Sequence, residues 1–276
     1  MKKDVSDWEI CDDWTTGTRE KKWLLSKEKE KWLFKEPKIE GEMYAEVVAY
    51  LLGTKIFNLE VPETHFAIFK GKKGVISKAF TIDNIQLIEA VDFFGPEFNE
   101  SDLKMYTIEQ SLEVAKSFDE EETFIAMCIF DYIIANQDRH CQNWGVLLNG
   151  KHSDQKMAPF YDNGSSLLNG YNEDKVNSML SNTPEFEAFT NRAQSIFTVG
   201  QEEKPKANKL FSFLINYDRD IFKKSLARFN HCDCDIILNT IKKVPSDIIS
   251  NERKTLIAKL IMYRVFRINE YLKEGE

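Results

Sequence analysis

Phe130 to Ser166 read FDYIIANQDRHCQNWGVLLNGKHSDQKMAPFYDNGSS. An apolar helix end, Ile125 to Ile134, gives way to the polar loop Asn136-Gln137-Asp138-Arg139-His140-Cys141-Gln142-Asn143. A strand is expected over Trp144 to Leu148, then a turn carrying Asn149-Gly150, then a second strand from Met157 to Tyr161. That strand leads into Asp162-Asn163-Gly164. Asn-Gly between two apolar runs is a hairpin signal, here with a loop longer than two residues. The hairpin brings Asp162 back beside the loop that holds Asp138 and Asn143.

An Asp, an Asn five positions on and a second Asp in a D-x-G turn form a layout that phosphoryl transfer uses. One carboxylate orients the attacking hydroxyl, while an amide and a second carboxylate hold the magnesium that neutralises the phosphates. Protein kinases use the same D-x-x-x-x-N spacing and a D-F-G turn. Taken alone, Asp138 and Asn143 read equally well as ordinary turn residues. The hairpin and the second Asp give them meaning.

Upstream, the residues from Asp7 to Trp14 alternate loosely as a first strand. The hydroxyl-rich turn Thr15-Thr16-Gly17-Thr18-Arg19-Glu20-Lys21 follows, then strands over Lys22 to Leu25 and Lys31 to Lys35. The turn stands where a phosphate-covering loop would lie. One glycine is far short of G-x-G-x-x-G, yet backbone N–H groups of Thr16, Gly17 and Thr18 with Lys21 suffice to bind phosphate. From Gly41 the periodicity is helical and is expected to stop at Gly53. Glu42 and Glu46 lie four apart on one face of that helix. Three strands, a terminal Lys and a helix with a Glu are the small-lobe order of a kinase. Lys35 would then contact phosphates and be held by a helix glutamate, Glu42 or Glu46.

Thr64 to Phe69 and Gly74 to Phe80 form a further hairpin, whose exit through Lys78 and Phe80 is the expected adenine-facing hinge. Beyond Asp83 the chain reads as mostly helical. Helices are expected over Tyr106 to Phe118, Glu121 to Ala135, Lys209 to Asn216, Asp220 to Phe229, Asp233 to Val244 and Asn251 to Lys273. The polar segment from Gly164 to about Pro184 has no clear period and reads as a mobile activation segment.

These residues carry a family resemblance. Gly17-Thr18-Arg19-Glu20-Lys21, Trp32-Leu33-Phe34-Lys35-Glu36-Pro37, Gly41-Glu42-Met43-Tyr44, the Asn136–Asn143 loop and Pro159-Phe160-Tyr161-Asp162-Asn163-Gly164 resemble the HipA-like serine/threonine kinases, bacterial toxins of toxin–antitoxin modules. The resemblance implies an α+β, bilobal protein-kinase-like fold, with a β-rich N-lobe over residues 1–82 and a mainly helical C-lobe over 83–276. It implies ATP and Mg2+ as cofactors, Asp138 as catalytic base with His140 beside it, and Asn143 and Asp162 as metal ligands. Thr16, Gly17, Thr18, Lys21, Lys35, Glu42, Lys78 and Phe80 become the nucleotide-binding set, and the resemblance favours Glu42 over Glu46 as the partner of Lys35. Arg139 shapes the loop. The implied partners are a protein substrate, such as an aminoacyl-tRNA synthetase or another translation factor, and an antitoxin or a separate protein supplying an N-terminal subdomain for which this chain has no room. Trp14 stands where the family's autophosphorylated serine would be, although Thr15, Thr16 and Thr18 are close by. Two other readings stay open, a phosphoinositide or small-molecule kinase with a D-R-H-x-x-N loop, and a pseudokinase interaction module.

Composition narrows the rest. The 276 residues are 42% apolar and 30% charged, with a net charge of −8. That balance disfavours direct nucleic-acid contact, which needs a basic footprint. No apolar run approaches the ~20 residues of a membrane span, and the start lacks a signal-peptide core, so a cytoplasmic protein with no membrane partner is expected. The five cysteines are too scattered for a disulfide framework.

Overall fold

A computed structural model describes residues 2–11, 21–81, 85–149 and 155–274. The chain opens with short strands β1 (Lys2–Asp4) and β2 (Glu9–Ile10), followed by β3 (Lys21–Leu25) and β4 (Lys31–Lys35). Helix α1 (Gly41–Lys55) then crosses to β5 (Thr64–Phe69) and β6 (Lys72–Lys78). These strands form one sheet in the order β1-β5-β6-β4-β3-β2. Every pairing in it is antiparallel except β1 with β5. Alternation along β4 and β6 sends Trp32, Phe34 and Ile76 to one face, where they pack with Val5, Leu24, Ala67 and Phe69. Leu33 and Lys35 are left to face the cleft.

Helix α1 does not stop at Gly53. It runs two residues further, because Gly53 is there for contact and not for termination: a Cβ built on it would lie 2.4 Å from Val61 Cγ2. The hairpin exit ends at Lys78, earlier than Phe80.

Strand β7 (Ile85–Glu89) was not anticipated. It pairs antiparallel with β8 (Gly145–Asn149), which in turn pairs with β9 (Gln155–Met157). β9 is shorter than the expected Met157–Tyr161 strand because Pro159 has no N–H to give a ladder. Beyond it the chain switches partner, and the Phe160 N–H donates to the Glu60 carbonyl at 2.8 Å.

Between β7 and β8 lie α2 (Ile108–Lys116) and α3 (Glu121–Ile134). Every residue of α3 from Phe124 to Ile134 is buried, and the main core is built around it. Asp131 is the one charge in that span. The helix ends on Ala135 in the left-handed region, φ 58°, which turns the chain sharply into the polar loop.

The segment after Gly164 holds two helices where a mobile stretch was expected, α4 (Glu173–Ser181) and α5 (Thr183–Asn191). Side chains cap both: Asn172 accepts from the Lys175 N–H and Asn182 from the Glu185 N–H. Val176, Met179 and Phe186 bury against Leu256 and Leu260. The chain closes with α6 (Ala207–Tyr217), α7 (Arg219–Ala227), α8 (Cys234–Ile241) and α9 (Asn251–Glu274), near the expected positions. No helix among the described residues is long and apolar enough to cross a membrane. The α+β, protein-kinase-like fold is the one expected.

Candidate active site

The loop Asn136–Asn143 is held by one buried arginine. Arg139 has five N–H donors, and each finds an acceptor. Nε and Nη2 donate to the two carboxylate oxygens of Asp131 at 2.9 and 2.8 Å. Nη1 donates to the carbonyls of Asn143, at 2.7 Å, and Tyr161. Nη2 also reaches Asn163 Oδ1 at 2.8 Å. One guanidinium therefore ties the last turns of α3, the Asn143 end of the loop and the Asp162 turn together. Burial lowers its proton affinity, but the Asp131 carboxylate outweighs that and leaves Arg139 above its ordinary value. Asn136 reinforces the frame by donating to Asp131 Oδ1 at 2.9 Å and accepting the Asp138 N–H at 3.1 Å.

Within that frame Asp138 is partly exposed, and Ser165 donates to its Oδ2 at 3.3 Å. Asn143 turns its amide nitrogen back onto the Asp138 carbonyl at 2.6 Å. Among the described residues its Oδ1 takes no hydrogen bond, and Asn143 lines a cavity.

Asp162 follows at the turn with φ 56°. Its carboxylate meets the Lys35 ammonium at 3.3 Å, and Glu46 meets the same ammonium at 3.1 Å. Burial pulls Lys35 down, yet the two carboxylates together outweigh it and hold the lysine above its ordinary range. The second oxygen of Glu46 accepts the Asn163 N–H at 3.2 Å. Glu46 so joins the strand lysine to the Asp162 turn.

The expectation that Glu42 pairs with Lys35 is corrected here. Glu42 lies one turn nearer the start of α1, where it accepts the Lys38 N–H at 2.9 Å. The next turn carries Glu46 over Lys35. Both glutamates share one helix face, so spacing alone could not separate them.

These groups line one cavity of about 470 Å³. Lys35, Glu46, Asp138, Asn143 and Asp162 are among its polar lining. Leu33, Val61, Leu87, Phe80 and Tyr161 give it an apolar side, with Phe80 stacked on Tyr161 at 5.6 Å between centroids. Lys21, Lys78 and His140 also face it. Lys78 is drawn toward Glu30, to which it donates at 2.5 Å, and His140 Nδ1 accepts the Gln142 N–H at 3.3 Å. Thr16, Gly17 and Thr18 lie outside the described residues, as do Trp14 and Thr15.

Sequence reading ranked Glu46 second to Glu42 and missed Asp131, Asn163 and Ser165. Asp131 alone left a signal, as a lone carboxylate inside an otherwise apolar helix. Such a charge needs a partner when buried. Cys141 is buried within the loop, and burial pushes its thiol up to about 11.

Residues 14–216 match the HipA-like C-terminal domain. This chain belongs to that family. Helices α7 to α9 lie beyond the matched region. The chain is 27% identical over 202 residues to the serine/threonine-protein kinase CtkA of Helicobacter pylori, a match covering 68% of this chain and 59% of that protein. In three dimensions it is similar to the crystal structure of a Helicobacter pylori proinflammatory kinase CtkA, with TM-score 0.80 and 22% identity over 100% of this chain and 98% of the other. It is also similar to HipA of Shewanella oneidensis, solved with HipB and operator DNA, with TM-score 0.62 and 11% identity over 89% and 60% of the two chains. A Golgi casein kinase with Mn and ADP bound has TM-score 0.50 and 12% identity, over 97% and 73%. The fold of this family member is therefore shared with kinases.

Proposed function

We propose that the chain is an ATP- and magnesium-dependent protein serine/threonine kinase. The observation that carries this reading is that Lys35, Glu46, Asp138, Asn143 and Asp162 line a single cavity, with Glu46 and Asp162 both on the Lys35 ammonium. Family membership and the likeness to CtkA support it. The adenine would lie between Leu33, Val61 and Leu87, over the Phe80–Tyr161 pair, with the segment from Lys78 to Thr81 as the connection. The boundary between an N-lobe of residues 1–82 and a C-lobe of 83–276 falls within residues 82–84, outside those described.

In this reading Lys35, oriented by Glu46, takes phosphate oxygens and keeps its charge throughout the neutral range. Asp138 orients the incoming hydroxyl and receives its proton, while Arg139 holds the loop still. Asn143 Oδ1 and the Asp162 carboxylate are hard oxygen donors of the kind magnesium takes alongside phosphate oxygens. Bound there, the ion would neutralise charge on the phosphates. Asp162 would then divide its carboxylate between Lys35 and the ion. Lys21 and the Thr16–Thr18 turn would cover the phosphates.

A protein hydroxyl is the acceptor in this reading, on a substrate such as an aminoacyl-tRNA synthetase or another translation factor. An antitoxin or a separate N-subdomain-like protein is the proposed partner, and the cytoplasm the proposed location. The test is transfer of γ-labelled phosphate from ATP, to the chain itself or to a generic protein acceptor, with Asp138→Ala as control. Label on protein with wild type and none with the variant is expected. Equal backgrounds overturn the enzyme reading, and label on lipid instead of protein overturns the choice of acceptor.

A further inference from the structure

Behind the catalytic loop, on the side away from the cleft, a second and smaller cavity of about 40 Å³ is lined by Asp131, Asn136, Gln137, Gln194, Ser195 and Arg264, among others. Arg264 is 2% exposed. Its Nη1 donates to the Tyr132 carbonyl. Its Nε is buried without a partner. Among the described residues Nη2 makes no hydrogen bond either, and no acid forms an ion pair with this guanidinium. It instead lies over the rings of Tyr132 and Phe189, at 4.8 and 5.7 Å from their centroids.

Asp131 is the carboxylate bordering the cavity, and both its oxygens are already engaged by Arg139, one of them by Asn136 as well. That carboxylate is therefore spent on Arg139, and among the described residues it forms no ion pair with Arg264, which lines the same cavity. Burial lowers Arg264 to about 10, with only tyrosines as counterweights, so the group keeps its proton at neutral pH. The region carries an uncompensated positive charge in a nearly dry place. Buried charges are ordinarily paired, since the desolvation cost is otherwise unmet. The cavity is roomy enough for one or two water-sized bodies, each about 30 Å³ in the liquid, and too small for an organic ligand.

We propose that this cavity binds one halide-sized monovalent anion, chloride in practice, on the free edge of Arg264. Gln137, Gln194 and Ser195 are the polar groups at its rim. The site touches Asp131, Asn136 and Arg139, so its occupant would bear on the frame that holds Asp138. It stands apart from the kinase reading and is tested without turnover.

Crystals of the wild-type chain soaked in sodium bromide should show an anomalous peak within hydrogen-bond reach of the Arg264 guanidinium. In solution, thermal unfolding at constant ionic strength is followed as sodium gluconate, whose anion is too large to enter, is replaced by sodium chloride. The expected result is a saturable rise in Tm of a few degrees in chloride, lost in Arg264→Gln. Ordered water with no anomalous signal overturns the proposal. A peak with identical Tm in both salts means binding at crystal concentration only, and also overturns it. Should Arg264→Gln fail to fold, the two wild-type measurements still decide.

Discussion

Lys35 and Asp162 are 127 positions apart in the chain and stand 3.3 Å apart across the cleft, with Glu46 on the same ammonium at 3.1 Å. Burial works against that ammonium and the two carboxylates more than offset it. A lysine raised in the folded state contributes fully below its unfolded value of about 10.4, and the contribution fades only as pH climbs through the raised value. The rate–pH profile between pH 6 and 9 should therefore carry no limb from Lys35. Glu46→Gln should lower kcat by about 10- to 100-fold, on the order of what a positioned electrostatic group supplies. Glu42→Gln should cost much less. Steady-state phosphorylation with the two variants side by side checks which glutamate serves the lysine.

Arg139 and Asp131 form a buried pair whose loss leaves a charge stranded. Arg139→Met should destabilise the chain by about 3–5 kcal/mol. The double change Arg139→Met with Asp131→Leu should cost clearly less than the two single changes summed, because neither charge then remains alone. Urea unfolding of the four proteins measures this coupling.

Glu122, near the start of α3, is pushed up by burial, but the side chains of Lys224 and Arg228 outweigh that and hold it below the ordinary glutamate range. They donate to it at 2.6 and 2.9 Å, fastening α7 to α3. A carboxylate depressed in the folded state stabilises above its unfolded value and stops doing so as pH falls through the folded one. Glu122→Gln should thus lose about 0.5–1 kcal/mol at pH 7. The gap should close once pH falls below the depressed value, which thermal melts across pH 3 to 7 would follow.

Gly53 sits inside α1 against Val61, with 2.4 Å available for a Cβ. Gly53→Ala would normally help a helix. Here it should destabilise by about 1–3 kcal/mol through overpacking, read from the Tm.

The same glycine shows what could be read beforehand. Its meaning depends on Val61, which only the fold brings near, so the residue looked like a helix stop. The loop proposed as catalytic could be singled out because Asp138, Arg139 and Asn143 lie close in sequence, and the Asp162 turn because one hairpin returns it. Lys35 was legible from strand order. Glu46 was not, since it and Glu42 share a helix face and tertiary distance alone separates them. Strand β7 was missed because Ile85-Gln86-Leu87-Ile88-Glu89 is short and its partner lies some sixty residues on. Helices α4 and α5 bury few apolar residues each, Val176 and Met179 in one and Phe186 in the other. Their order comes from asparagine caps and from α9, neither of which leaves a periodic trace.

The most direct measurement is a crystal structure of the wild-type chain with a non-hydrolysable ATP analogue and manganese. An anomalous peak coordinated by both Asn143 Oδ1 and the Asp162 carboxylate, with the analogue's phosphates against Lys35, is the expected result. A nucleotide bound elsewhere, or a metal that ignores those two side chains, would contradict the assignment of this cavity to phosphoryl transfer.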